Sequence, residues 1–178
     1  LMGLALLDLY QTTADAQWLD AARVTAEYVV SQMLGSAGGT GAVAAAEFLH
    51  RLSRLGNDVS WLESGRELLR SVSEQPLPRE DAVQLARLGC VLETFASGYV
   101  ELVISGPPDA LASRQLHAAA LAAYQPGKLV MLDRYGRFPQ SADAALRVCT
   151  LAGCLPPIAD PAQLPAVLST LEPVSEFP

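Results

Sequence analysis

The sequence predicts a mainly α-helical protein, with helical hairpins first and then a small parallel β segment carrying one crossover helix. Three observations lead there. A group of residues in the first half recurs at a constant offset of 43 positions, the apolar residues around it fall at helical spacing, and after Tyr99 the pattern changes to short β-branched runs. This divides the chain into hairpins over residues 1–98 and a strand–helix–strand segment with a tail over residues 99–178, both in one domain.

The repeat is explicit. Asp15, Trp18, Leu19, Ala22 and Arg23 are matched by Asp58, Trp61, Leu62, Gly65 and Arg66, and upstream Leu6 and Leu9 by Leu49 and Leu52. A period of about 40 residues with two helices per unit is that of a helical-hairpin array or toroid. In the first unit Leu4, Leu7 and Tyr10 recur at helical spacing, which predicts a helix over residues 2–12. Asp15 is placed to cap the next helix, whose inner face carries Trp18, Leu19, Ala22, Ala26 and Val29 as far as about Met33. The second unit predicts a helix over 43–55 with Gly56 just beyond its end, then a helix capped by Asp58 and reaching about Val72. Ala44, Ala45 and Ala46 suit close helix–helix approach. Aromatic content is only 6%, so Trp18 and Trp61 are expected to anchor the packing. Pro76 and Pro78 break the pattern, and a third helical stretch is expected over 79–96 with Val83, Leu85, Leu88, Val91, Leu92 and Phe95 inward and Gly98 closing it.

The second half switches period. Val100, Leu102, Val103 and Ile104 read as a buried strand ended by Ser105-Gly106-Pro107-Pro108. Asp109 is expected to cap a helix over 110–124, followed by strands over 128–132 and 146–149. Connections of this length favour parallel pairing with a right-handed crossover. A last short helix is expected over 161–171.

Composition excludes several classes. The 178 residues are 51% hydrophobic and 17% charged, far from a disordered composition, and the net charge of −7 argues against nucleic acid as a partner. The uninterrupted apolar stretches, such as 4–7 and 118–123, are too short to span a membrane. Three cysteines are too few for a secreted disulfide framework, which points to a cytoplasmic, reducing compartment. Leu1 in place of an initiator Met, with no leader before it, suggests an excerpt or a processed chain.

Candidate chemistry is sparse. His50 falls on the solvent side of the Leu49/Leu52 stripe and His117 on an Ala-rich helix; neither has a ligand at i+3 or i+4, so no metal is expected. Residues 35–41 are Gly-rich but lack a Lys and a preceding strand, so they read as a link and imply no nucleotide or other cofactor. No nucleophile elbow or nucleophile–base pair is visible, and catalytic residues are left unassigned. Glu27, Glu47, Glu63, Glu93 and Glu101 read as solvated or capping positions. Cys149 and Cys154 read as buried structural cysteines flanking a bend, or else as a disulfide or redox pair; the two are expected to lie close in space and to be reduced or weakly paired.

The stretch from Leu6 to Ala22, together with Val103-Ile-Ser-Gly-Pro107, Lys128-Leu-Val-Met-Leu132 and above all Val148-Cys149-Thr-Leu-Ala-Gly-Cys154-Leu-Pro156-Pro157, resembles the C-terminal part of the YyaL-like, thioredoxin-domain-containing family that includes spermatogenesis-associated protein 20. The terminal motif is similar to that family's Val-Cys-x4-Cys-x-x-Pro signature. The resemblance covers nearly all of this chain and implies an (α/α) toroid like that of six-hairpin glycosidases and sugar epimerases, with an N-terminal thioredoxin-like domain in the longer protein. The family has no firmly assigned activity. Where it has a polar Pro-Ser-Gly-Asn-Ser motif before a helix, this chain has Gly38, Gly39, Thr40, Gly41 and Ala42. The implied role is the C-terminal part of a toroid, non-catalytic on its own. The alternatives are part of a carbohydrate-active enzyme, with a carbohydrate ligand held by paired carboxylates in the cavity, and a helical interaction module. A partial toroid has an open edge, around Leu4, Leu7 and Val29, which implies a partner chain or self-association.

Overall fold

The computed structural model describes residues 2–34, 41–73, 82–139 and 142–171. Among them are seven α-helices, one 3-10 turn and four strands, a mainly α protein with a small mixed sheet. The chain forms two compact units, Leu1–Ala96 and Ser97–Pro178. The link over residues 35–40, the breaks at Pro76 and Pro78 and the expected start of the third helical stretch lie outside the described residues.

The first unit contains α1 (Met2–Thr13), α2 (Ala16–Met33), α3 (Ala42–Leu55), α4 (Ser60–Ser73) and α5 (Ala82–Ser97, its last residue beginning the second unit). The repeat extends to the backbone. Between α1 and α2, Ala14 stands at φ 56°, and 43 residues on Asn57 stands at φ 53° between α3 and α4. Each turn is followed by an aspartate. Asp15 caps α2 by accepting from the Gln17 backbone N–H at 3.0 Å, and Asp58 accepts from the Ser60 backbone N–H at 3.0 Å and hydroxyl at 2.7 Å. Gly56 ends α3 with right-handed geometry, φ −89°, and the left-handed residue of this turn is Asn57. Asn tolerates that conformation because its short amide can bond locally.

The hairpins meet closely. A Cβ at Gly3 would lie 2.6 Å from the Phe48 ring, which is why α1 and α3 can approach here. At Gly65 a Cβ would lie 3.2 Å from both the Ala46 carbonyl and the Phe95 ring, so α3, α4 and α5 converge on this residue. Leu7, Tyr10, Leu19, Ala22, Ala46, Leu49, Leu52, Leu55 and Leu68 are almost wholly buried. Each large side chain among them contributes about 1.5–3 kcal/mol by leaving water. Trp18 and Trp61 are only half-buried, so the anchors of this core are leucines, Tyr10 and Phe48 rather than the tryptophans. On α5, Val91 is buried while Val83 and Leu92 are exposed, a narrower inward stripe than the apolar spacing suggests.

The second unit is a four-stranded sheet of order β2-β1-β3-β4, with β1 (Val100–Ser105), β2 (Lys128–Leu132), β3 (Ala145–Thr150) and β4 (Gly153–Cys154). Between β1 and β2 runs α6 (Leu111–Ala122), and these strands pair in parallel from Val100 opposite Lys128 to Ile104 opposite Leu132. β3 pairs antiparallel with β1, so the sheet is mixed and not the parallel segment expected. Parallel pairing of a third strand needs a second crossover, and no helix occurs among the described residues between β2 and β3. The chain leaves β1 through Gly106, at φ +115°, where a Cβ would lie 2.8 Å from the Ala144 backbone; only glycine fits.

One face of this sheet forms a core. Leu102, Ile104, Val130, Leu146 and Val148 pack with Leu116 and Ala120 of α6, with Ile158, and with Leu164 and Leu168 of α7 (Leu164–Ser169), which follows a 3-10 turn (Pro161–Gln163) capped by Asp160. Asp109 does not cap α6 with its side chain. Instead the Ser113 hydroxyl donates to the Pro107 carbonyl at 2.6 Å and the Arg114 guanidinium to the Asp109 carbonyl at 3.0 Å. The far end of α6 is held by Lys128, whose ammonium donates to the carbonyls of Ala120 at 2.8 Å, Leu121 at 2.6 Å and Ala123.

Candidate functional site

A cleft of about 500 Å³ opens on the first unit. It is lined by Met2, Gly3 and Leu4 of α1, by Thr25, Tyr28, Val29 and Met33 of α2, by Gly41, Ala44, Ala45 and Phe48 from α3 and its start, and by Gln84 and Arg87 of α5. Its position follows from the hairpin geometry, because the start of α1, the end of α2 and the start of α3 lie at one end of the bundle. The lining is mostly apolar, and its two methionines, Met2 and Met33, are side chains that adapt to irregular gaps. Its charged member, Arg87, is paired with Glu47 at 2.8 Å. No carboxylate lines the cleft among the described residues.

The residues expected at an open edge differ in burial. Leu7 is fully buried, against expectation, while Leu4 and Val29 are half-buried and line the cleft. Beyond them Met2, Val24 and Tyr28 are 66–69% exposed.

His50 is buried, not on the solvent side. Its ring lies 4.1 Å from that of Phe95, because α5 covers the side of α3 that a two-helix hairpin would leave open. Burial, reinforced by the Arg54 and Arg66 charges, lowers its pKa from 6.5 to about 4, so it is a neutral core residue at physiological pH. His117 is half-buried on α6. Of the acidic residues, Glu27, Glu63 and Glu93 are exposed, Glu47 is tied to Arg87, and Glu101 is buried, contrary to the solvated reading. Among the described residues no group of three His, Cys, Asp or Glu could hold a metal ion.

Glu101 belongs to a polar cluster that the sequence reading missed. Alternation along β1 turns Glu101, Val103 and Ser105 away from the core face. The Arg137 guanidinium meets Glu101 at 2.7 Å, and Arg147 donates to the Ser105 hydroxyl at 3.0 Å with its guanidinium 4.5 Å above the Phe138 ring. The Asp133 carboxylate fixes this loop by accepting from the backbone N–H groups of Arg137 and Phe138, both at 2.9 Å. A glutamate inside a run otherwise read as buried is the signal that could have revealed it, since a buried carboxylate needs a cation.

Cys149 and Cys154 lie close in space, as expected, joined as a disulfide between directly opposed residues of β3 and β4, which is the paired alternative of the two readings. Cys149 is buried and Cys154 exposed, so only one of them is the buried cysteine expected. Cys90, on α5, carries an exposed free thiol. No described helix is long and apolar enough to cross a membrane. No family model, no curated protein and no solved structure matches this chain.

Proposed function

We propose that this chain is a segment of a helical-hairpin array, resembling the C-terminal part of a YyaL-like (α/α) toroid, whose role is to pack against another hairpin rather than to catalyse. One observation carries the reading. In the second hairpin, Ala45, Phe48, Leu52 and Leu55 form a stripe along α3 that is 0–6% exposed. The positions 43 residues earlier are Met2, Ala5, Leu9 and Thr12, all exposed, with Met2 at 69% and Leu9 at 41%. The flank that the second hairpin buries is thus open on the first. An apolar stripe flanking a cleft is a surface suited to a partner helix. The occupant we propose is another hairpin of this kind, supplied by a second copy when the chain is alone in solution. The apolar cleft, without carboxylates among its described lining, speaks against the carbohydrate-active alternative.

Sedimentation equilibrium at micromolar concentration tests the proposal. The chain is expected to self-associate, and Leu9→Asp, at an exposed site where folding is preserved, is expected to weaken that association at least tenfold. A stable monomer, or association indifferent to Leu9→Asp, overturns the reading.

A further inference from the structure

We infer that Cys149–Cys154 is an exchanging dithiol–disulfide pair, open to a small thiol such as glutathione at Cys154. The inference is independent of the hairpin proposal and stands on the second unit alone. Cys154 is exposed on a two-residue strand, whereas Cys149 is buried on β3, so an incoming thiolate reaches one sulfur and not the other.

The arms of this hairpin are held without the sulfurs. The Leu155 N–H donates to the Val148 carbonyl at 2.9 Å, and Leu146 and Ile158 exchange both backbone hydrogen bonds at 2.8 and 2.9 Å. Ile158 is also part of the apolar core. Breaking the sulfur bond therefore leaves the two cysteines opposed in register, Cys149 facing Cys154, where they close again readily. A cross-link spanning a sequence separation of 5 also removes little freedom from the unfolded chain compared with a long-range one. Such a bond adds little that the backbone has not already secured.

The chemistry balances with glutathione as reductant. Its thiolate attacks Cys154 Sγ, a new S–S bond forms, and the Cys149–Cys154 bond breaks with the electron pair leaving on Cys149, which takes a proton from water. A second glutathione thiolate attacks the glutathione sulfur of the mixed disulfide. This releases the Cys154 thiolate and oxidised glutathione, so two glutathione molecules are oxidised for each disulfide reduced. Oxidised glutathione drives the reverse.

Native thiol counting after millimolar glutathione, with circular dichroism recorded in parallel, tests the inference. The accessible thiols are expected to rise from one, Cys90, to two, with buried Cys149 counted as the third only after unfolding, the spectrum unchanged, and to return to one on adding oxidised glutathione. In a Cys90→Ser background treated with oxidised glutathione, Cys149→Ser is expected to accumulate a glutathione adduct at Cys154 with release of one reduced glutathione, and Cys154→Ser to form at least tenfold less at Cys149. A bond reduced only in denaturant, reduction that destroys the fold, or equal adducts in the two variants would each overturn the proposal.

Discussion

His50 shows how the helical neighbourhood of a residue sets its chemistry. It follows Leu49 directly, and a narrow apolar stripe through Leu49 and Leu52 would leave it facing water. The buried arc of α3 is wider, including Ala42, Val43, Ala45, Ala46, Phe48, Leu49 and Leu52, because helices pack on several of its sides, and His50 falls within that arc. No spacing rule within α3 reveals this, since the covering residue, Phe95, is 45 positions away in sequence. The consequence is a pH dependence with a definite sign. Above pH 6.5 the ring is neutral in both folded and unfolded chains and contributes no slope. Between 6.5 and about 4 the unfolded chain takes up a proton that the folded chain refuses, so stability falls as the pH is lowered, and it levels off below about 4. The loss expected is roughly 1–3 kcal/mol. Urea unfolding of the wild type and of His50→Gln at pH 7 and 4.5 checks this: the difference between the two proteins should shrink at the lower pH, and a constant difference would refute it. Trp61 teaches the opposite lesson. Its size and its place in the repeat suggest an anchor, yet it is half-buried, so Trp61→Ala is expected to cost about 1–2 kcal/mol in the same assay instead of the 3–5 kcal/mol of a fully buried aromatic.

At the scale of elements, the structure follows the sequence wherever a local signal suffices. The 43-residue repeat located four helices to within a few residues, and the β-branched runs located three strands, because both periods are written into consecutive residues. Where pairing depends on distant segments the reading fell short. β3 runs antiparallel to β1, and nothing within residues 146–149 records that direction. The approach of α1 to α3 is likewise invisible locally, although Gly3 is its cause. Gly3→Ala gains up to about 1 kcal/mol of helix propensity but sets a methyl against the Phe48 ring. Overpacking of that kind typically costs about 1–3 kcal/mol, so a net loss is expected by urea unfolding. Phe48→Leu in the Gly3→Ala background should recover part of it, and two losses that simply add would show that the ring and the helix backbone are not in contact.

For the whole molecule the decisive quantity is charge. The chain carries a net charge of −7, and of the two hairpins the first is the acidic one, with Asp8, Asp15, Asp20 and Glu27 against Arg23 alone. In the second hairpin Arg51, Arg54, Arg66 and Arg70 offset Glu47, Asp58, Glu63 and Glu67. The two hairpins are joined partly by this difference, since Asp8 meets Arg51 at 2.5 Å, a contact between equivalent positions of the repeat. If two copies associate through the exposed α1 flank, two acidic hairpins approach each other, and their repulsion opposes an apolar attraction. Salt screens the first and does not weaken the second: the Debye length falls from about 10 Å at 0.1 M to about 3 Å at 1 M. Raising the salt at pH 7 is therefore expected to tighten self-association, on the order of threefold or more over that range, read as a shift in sedimentation equilibrium. The pH stays at 7 because approaching the isoelectric point of about 4.7 would also protonate unfolded His50 and confound association with stability. Dissociation on adding salt would mean that the contact is held by opposite charges, placing it on the arginine-bearing second hairpin and not on Met2, Ala5 and Leu9.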